Sequence, residues 1–158
     1  MPQDSQRGFT LVEVLIVVVI LGVLAVIAVP QAANASRTAA HTAFARNTRT
    51  LVDAAVMHRT RTGTWIGDGS SGQIPDGLEA FIDPQQWENG TPIGGLWDSE
   101  TRPDDDLTLG IGVHFMGAGG RPDDREMRDV DALLDDGDLA TGTFRQFDSD
   151  RFYYIVEY

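Results

Sequence analysis

The sequence predicts an α+β protein in which a long N-terminal helix, transmembrane in its first half, packs against a small antiparallel sheet in a C-terminal head. Three observations support this fold class. An apolar run fills residues 9–29, helical spacing continues to Thr62, and short alternating segments separated by turn residues make up the rest. We accordingly divide the chain into residues 1–8, residues 9–30 and residues 31–158, the last including the second half of the helix.

The apolar run is long enough to cross a membrane. As a helix its 21 residues would extend over roughly 32 Å, which matches the thickness of a bilayer core. Glu13 is the one charged residue in the run. An unpaired carboxylate inside a bilayer costs about 2–3 kcal/mol, so Glu13 is a candidate functional residue. The alternative is an acid tolerated close to the lipid headgroups.

The helix is expected to continue beyond the apolar run. Pro30 removes one backbone donor, and we expect it to bend the helix rather than end it. The Ala- and Arg-rich stretch that follows has a rough apolar face, which we expect to pack against a sheet. The face comprises Ala40, Phe44, Leu51, Val52, Ala55, Val56 and Met57. Gly63 is the expected end of the helix because glycine readily adopts positive φ.

The remaining residues predict two short helices and four strands. The first helix is expected at residues 76–81, with Asp76 as the N-cap and Leu78, Ala80 and Phe81 as its apolar residues. The second is expected at residues 123–134, and its apolar face comprises Met127, Val130, Leu133 and Leu134. The strands are expected at residues 93–98, 107–115, 143–147 and 152–156, the last two forming a hairpin. Asp104–Asp106 reads as a turn.

The segment Gly8-Phe9-Thr10-Leu11-Val12-Glu13 resembles the processing site of type IV prepilins and type II secretion pseudopilins. Gly22 and Pro30 also fall where that family has a helix-bending Gly and Pro. The resemblance implies a pilin-like fold and a leader peptide at residues 1–8. A prepilin peptidase would cut between Gly8 and Phe9 and methylate the new amine on Phe9. Glu13 would then pair with the amine of a neighbouring subunit and set the register of assembly.

The resemblance implies a structural subunit of a type II secretion pseudopilus or a type IV pilus-like filament, assembled through its N-terminal helix. Its partners would be like subunits, the prepilin peptidase, an inner-membrane assembly platform and a cytoplasmic motor ATPase. The chain would cross the bacterial inner membrane once, with its N-terminus cytoplasmic and its head periplasmic, and would join the filament after assembly. The family's frequent C-terminal Cys pair is missing because the sequence has no Cys. That difference favours a pseudopilin or a minor subunit.

Three other interpretations of the sequence stay open. Residues 1–8 carry one Arg and one Asp, whereas five arginines follow the apolar run within residues 37–61. Counting positive charge alone therefore predicts the opposite orientation in the membrane. The second interpretation is a secretory signal peptide cut after Ala33-Asn34-Ala35. The length of the apolar run, Glu13 and Pro30 all argue against it. A membrane-anchored periplasmic binding domain that never polymerises is the third.

The head is strongly acidic. Residues 31–158 contain 22 acids and 11 arginines, which disfavours binding to nucleic acid. We expect no enzymatic activity and no cofactor, because the three histidines are scattered and no nucleophile motif surrounds a serine.

The one possible ligand of the head is calcium, which prefers several oxygen ligands. Asp135, Asp136 and Asp138 around Gly137, joined by Asp148 or Asp150, could supply them, the alternative being a solvated turn.

Overall fold

The computed structural model describes residues 9–102, 107–116 and 120–157. The chain divides into two compact units, Met1–Thr38 and Ala39–Tyr158. The predicted turn at Asp104–Asp106 and the predicted cleavage residue Gly8 lie outside the described residues.

One long helix and a four-stranded antiparallel sheet dominate the described residues, which confirms the predicted α+β class. Helix α1 (Leu11–Thr62) is followed by a short 3₁₀ helix (Leu78–Ala80) and α2 (Pro84–Glu88). Strands β1 (Leu96–Arg102) and β2 (Leu107–His114), helix α3 (Asp124–Leu134), and strands β3 (Phe144–Asp148) and β4 (Arg151–Glu157) complete the order. The strands lie in the order β1-β2-β4-β3, and every neighbouring pair is antiparallel.

The continuation and the end of the long helix follow the prediction. Pro30 lies inside α1, and the helix runs on to Thr62. Gly63 adopts φ of 81°, and its N–H donates to the Arg59 carbonyl at 2.7 Å, which closes the last turn. The residue without a Cβ therefore stands where the chain leaves the helix in a left-handed conformation.

Within the second unit, the buried stripe of α1 packs on aromatic residues of the sheet. Phe44 stacks on Trp97 of β1, with ring centroids 5.2 Å apart and planes at 3°. Phe44 also makes an edge-to-face contact with Phe144 of β3, with ring centroids 6.1 Å apart. The buried residues of α1 are His41, Phe44, Ala45, Thr48, Leu51, Ala54, Ala55 and His58.

Two members of the predicted apolar face of α1 are exposed, so that part of the prediction is wrong. Val56 is 44% exposed and Met57 is 57% exposed. Successive residues turn by about 100° around a helix, so these two lie about 100° and 200° beyond Ala55. That rotation carries them off the stripe that faces the sheet.

Three predictions about the head are also corrected. Strand β1 begins at Leu96 rather than Ile93, because Gly94 and Gly95 adopt φ of 88° and 74° in a turn. The helix expected at residues 76–81 is a 3₁₀ turn preceded by Gly77, and Asp76 does not cap it. Leu133, placed on the buried face of α3, is 41% exposed, whereas Asp131 is buried.

Helix α2 was not predicted, although its signal is present in the sequence. Asp83 caps it, because its carboxylate accepts a 3.0 Å hydrogen bond from the Gln85 N–H. Pro84 stands at the first helical position, where a missing N–H costs nothing. The helix buries Trp87 against the core, which compensates for its short length.

Candidate functional site

The first half of α1 presents an apolar surface that no part of its own unit covers. Every large hydrophobic residue from Phe9 to Val29 is at least 52% exposed, and Phe9 itself is 87% exposed. By length and composition α1 is able to cross a membrane. A surface this apolar is unfavourable in water, so it requires lipid or other protein as its surroundings.

Thr10 and Glu13 form a reciprocal cap at the start of this helix. The Thr10 N–H and hydroxyl donate to Glu13 Oε2 at 2.9 Å and 2.8 Å. In return the Glu13 N–H donates to Thr10 Oγ1 at 3.2 Å. Both residues thereby satisfy backbone donors that have no partner within the helix. The carboxylate of Glu13 is consequently held within one turn of Phe9, the residue predicted to bear the processed amine.

The sequence analysis identified Glu13 but not Thr10. The signal was available, because a Thr followed three residues later by a Glu before an apolar run is the pattern of a capping box. Thr10 is therefore a positioning residue for the carboxylate on which the predicted assembly depends.

We expect Thr10→Val to speed hydrogen exchange at the Glu13 amide by about two- to thirtyfold, because losing a cap costs about 0.5–2 kcal/mol. Exchange of the full chain in detergent micelles, followed by NMR, measures this. Thr38→Val is the matched control, since it removes a hydroxyl that donates to the Asn34 carbonyl at 3.0 Å farther along the same helix. An unchanged Glu13 amide in Thr10→Val would show that the cap does not form in solution.

Residues 3–29 match the family model of the prokaryotic N-terminal methylation motif. The chain carries the type IV prepilin-like signal. The match includes Gly8, Phe9, Glu13 and Gly22, and it supports a pilin- or pseudopilin-type protein anchored in a membrane. It ends before the head, and no solved structure matches the chain.

The structure places both predicted bend residues within α1. Gly22 lies in α1 with no atom near enough to contact a Cβ placed on it, so packing within the described residues does not require a glycine there. Pro30 also lies within α1. The bend that the prepilin-like signal implies at these positions stays a prediction.

Of the five predicted calcium ligands, the structure brings Asp135 and Asp136 together, and a third acid joins them. Carboxylate oxygens of Asp131, Asp135 and Asp136 all lie within 4.8 Å of one another. We call these three residues the α3 acidic cluster. Asp131 belongs to the last turn of α3, and Asp135 is its C-cap. The spacing of four residues between them is the signal that the sequence analysis missed, since i and i+4 share one face of a helix.

The other three predicted ligands have different partners. Asp138 accepts a 3.1 Å hydrogen bond from the Ala140 N–H in the turn after α3. Asp148 pairs with Arg102, whose hydrogen bond holds the pKa of the carboxyl below its usual range. Asp150 Oδ2 lies 3.3 Å from His114 Nε2. The β3–β4 hairpin thus directs Asp148 and Asp150 toward the first two strands, which is why the pattern of acids alone misplaced them.

Asp131 is the unusual member of the α3 acidic cluster. Its side chain is fully buried, and neither carboxylate oxygen accepts a hydrogen bond of normal geometry from the described residues. Burial raises its pKa to about 6, with further increases from the charges of Asp136, Asp135 and Asp138 and a smaller opposing effect from the Gly137 backbone N–H. A carboxylate in this position is costly unless a positive charge or a proton accompanies it.

A second set of buried polar residues lies on β1 and β4, and its members form hydrogen bonds and ion pairs with one another. Asp98 and Glu100 are 2% and 8% exposed. The Tyr153 hydroxyl donates to Asp98 at 2.6 Å, and the Arg151 guanidinium pairs with Glu100. Burial and the bond to Asp98 raise the pKa of Tyr153. Because each carboxylate has a donor, these residues anchor the sheet.

Proposed function

We propose that the chain is a structural subunit of a type II secretion pseudopilus or a type IV pilus-like filament, assembled through α1. The observation that carries this proposal is the prepilin-like signal on a helix whose first half is apolar and exposed. The peptidase that reads such a signal exposes an amine on Phe9. The apolar surface of the helix then lies in lipid before assembly and among like helices after it.

Glu13 is the residue on which assembly depends in this proposal. Its carboxylate is held one turn from Phe9, so the amine of an adjacent subunit could reach it as that subunit docks. An ammonium and a carboxylate are both costly in an apolar environment, and each offsets the cost of the other only when they meet. A helix that slides out of register would leave both charges unpaired, so the pair selects a single register.

The remaining assignments follow from the same proposal. The membrane is the bacterial inner membrane, with the N-terminus cytoplasmic and the head periplasmic. The partners are like subunits, the prepilin peptidase, the assembly platform and a motor ATPase. The protein acts by assembling and not by catalysis. The sequence lacks Cys, which supports a pseudopilin or minor subunit over a major pilin with a C-terminal disulfide.

A membrane-anchored binding domain that never polymerises is the second candidate. The acidic, independently compact unit Ala39–Tyr158 is the observation that favours it. Both candidates require the membrane helix, but only the filament subunit requires Glu13. The dependence of assembly on Glu13 therefore separates them.

Processing is the experiment that tests the proposed class of protein. In a host with an active prepilin peptidase we expect the mature chain to begin at Phe9 with a methylated amine. Intact-mass and N-terminal peptide spectrometry of membrane-extracted protein measures this, and a host without the peptidase is the control, in which the chain should stay uncut. A mature start after Ala35, or an uncut chain in both hosts, would contradict the proposal.

A further inference from the structure

We propose that residues 67–72 form a strap across the outer edge of β1, which acid tightens and which loosens as the pH rises. The strap closes when Asp68, which it carries, and Glu100 of β1 share one proton. Loosening uncovers backbone carbonyl groups of the edge strand. The proposal goes beyond the filament function, because it concerns the unit Ala39–Tyr158 and requires neither the prepilin-like signal nor the assembly of α1.

Backbone hydrogen bonds fasten the strap to an edge strand. β1 lies at one end of the sheet and pairs with β2 on its inner side. On its outer side the Gly72 N–H donates to the Trp97 carbonyl at 2.7 Å, and the Gly69 N–H donates to the Ser99 carbonyl at 3.4 Å. The Ser99 hydroxyl donates to the Gly67 carbonyl at 3.0 Å. So short a ladder opens locally at low cost, and side-chain interactions therefore decide how often it does.

The ends of the strap are fixed, whereas its middle is accessible. Ile66, directly before the strap, is 2% exposed, and Pro75 after it is buried. Between these two anchors the side chains of Asp68 and Ser70 are exposed. The strap can therefore lift from β1 while the core below it stays packed.

A pair of carboxyl groups joins the strap to β1. The carboxyl groups of Asp68 and Glu100 lie within hydrogen-bonding reach of each other. Two ionised carboxylates at that distance repel each other, whereas a protonated carboxyl donates a hydrogen bond to a carboxylate. The contact is favourable only when the pair holds a proton, so closing the strap and binding a proton favour each other.

The surrounding charges assign the proton to Asp68. The Arg151 guanidinium pairs with Glu100, and the Arg102 guanidinium lies 3.6 Å from it. At Asp68, by contrast, partial burial raises the pKa above its usual value, and the charges of Glu100 and Asp98 raise it further. Arg151 has a smaller opposing effect on the pKa of Asp68.

Other polar groups face the strap from β2, β4 and the β3–β4 turn. Ser71 Oγ lies 2.7 Å from His114 Nδ1, and His114 Nε2 lies 3.3 Å from Asp150 Oδ2. The Tyr153 hydroxyl donates to Asp98 at 2.6 Å. The imidazole of His114 is also able to gain a proton, so the test must distinguish it from the carboxyl pair.

The direction of the pH dependence follows from the raised pKa of Asp68. The closed strap binds a proton more tightly than the open strap does, so closing is favoured at and below the ordinary carboxyl range of about pH 4. That advantage is lost as the pH rises through the raised pKa. Above it the two carboxylates repel, and the carbonyl groups of Trp97 and Ser99 become available to pair with another strand.

Hydrogen exchange of the full chain in detergent micelles tests the strap. It is followed by NMR at about pH 4.5 and about pH 7.5 and corrected for the intrinsic exchange rate at each pH. We expect the protection of the Gly72 amide to fall by roughly two- to twelvefold at the higher pH, which is the equivalent of one hydrogen bond. The reference is the Gly94 amide, which donates to the Thr91 carbonyl at 3.1 Å in a turn outside the strap.

Asp68→Asn separates the carboxyl pair from the other groups. Its side-chain amide donates to Glu100 at any pH, so the Gly72 amide should stay as protected at the higher pH as it is in the parent at the lower pH. Asp76→Asn is the matched control, because it makes the same change at an exposed position just beyond the strap. It should respond to pH as the parent does.

Two results would overturn the proposal. Protection of the Gly72 amide that does not change with pH in the parent would show that protons do not control the strap. An undiminished pH dependence in Asp68→Asn would assign the proton to another group, such as His114, and would remove the role of Asp68.

Discussion

Glu13→Ala is expected to abolish or strongly reduce filament assembly while leaving processing at Gly8–Phe9 intact. Cleavage occurs several residues before Glu13, so the peptidase should still release the leader. Assembly should fail because the amine on Phe9 of an adjacent subunit would lose its partner in an apolar environment. Removing one member of a buried pair costs about 3–5 kcal/mol, and even a third of that would change each association step about tenfold.

The readout is the amount of sheared or pelleted filament beside membrane-retained monomer, at equal expression. Glu13→Gln refines the test, since it keeps the shape of the side chain and its ability to accept the Thr10 hydrogen bonds but loses the charge. Asp53→Ala is the matched control, because it removes an exposed acid from the same helix. Normal filament yield from both Glu13 variants would mean that the carboxylate does not set the register, and it would favour the binding domain that never polymerises.

Phe44→Ala is expected to destabilise the unit Ala39–Tyr158 by about 3–5 kcal/mol, which is a large part of the stability of a domain this size. Phe44 is fully buried and contacts Trp97 and Phe144 on two strands, so its removal leaves a cavity between α1 and the sheet. Guanidinium unfolding of the full chain in detergent, followed by the fluorescence of the buried tryptophans Trp87 and Trp97, measures the free energy of unfolding.

Met57→Ala is the internal control for that measurement. Met57 lies on the same helix but is 57% exposed, so its truncation should change the free energy of unfolding by less than about 0.5 kcal/mol. The pair of variants also tests which face of α1 meets the sheet. Equal losses from Phe44→Ala and Met57→Ala would contradict the observed packing.

The sequence predicted those parts of the fold in which local chemistry dominates. Strand β2 followed from strict alternation, α3 from the acids of its first turn and its apolar residues, and the end of α1 from Gly63. The exposed residues Val56 and Met57 were misplaced because α1 is apolar on more than one side. Which side meets the sheet depends on the bulky partners Trp97 and Phe144, and these are at least 40 residues away in the chain.

The candidate sites were predictable to different degrees. The prepilin-like signal and Glu13 are contiguous, so pattern alone identified them and the family match confirmed the motif. The sequence showed that the turn after α3 is acidic, but it did not show which of the carboxylates lie close together. Asp148 is drawn away by Arg102, and Asp131 enters the cluster because the rotation of α3 buries it. Both outcomes depend on tertiary contacts that no local pattern contains.

Zero-length carbodiimide cross-linking of sheared filaments tests the central claim most directly. The chain contains no lysine, so after processing the amine on Phe9 is the one amine that can couple to a carboxylate. If α1 assembles as proposed, the dimer band should contain a peptide in which the methylated amine of Phe9 is joined to Glu13 of another subunit, and Glu13→Gln should remove it. Cross-links from Phe9 only to acids of the head, or no cross-linked dimer in material that pellets as filament, would contradict the account.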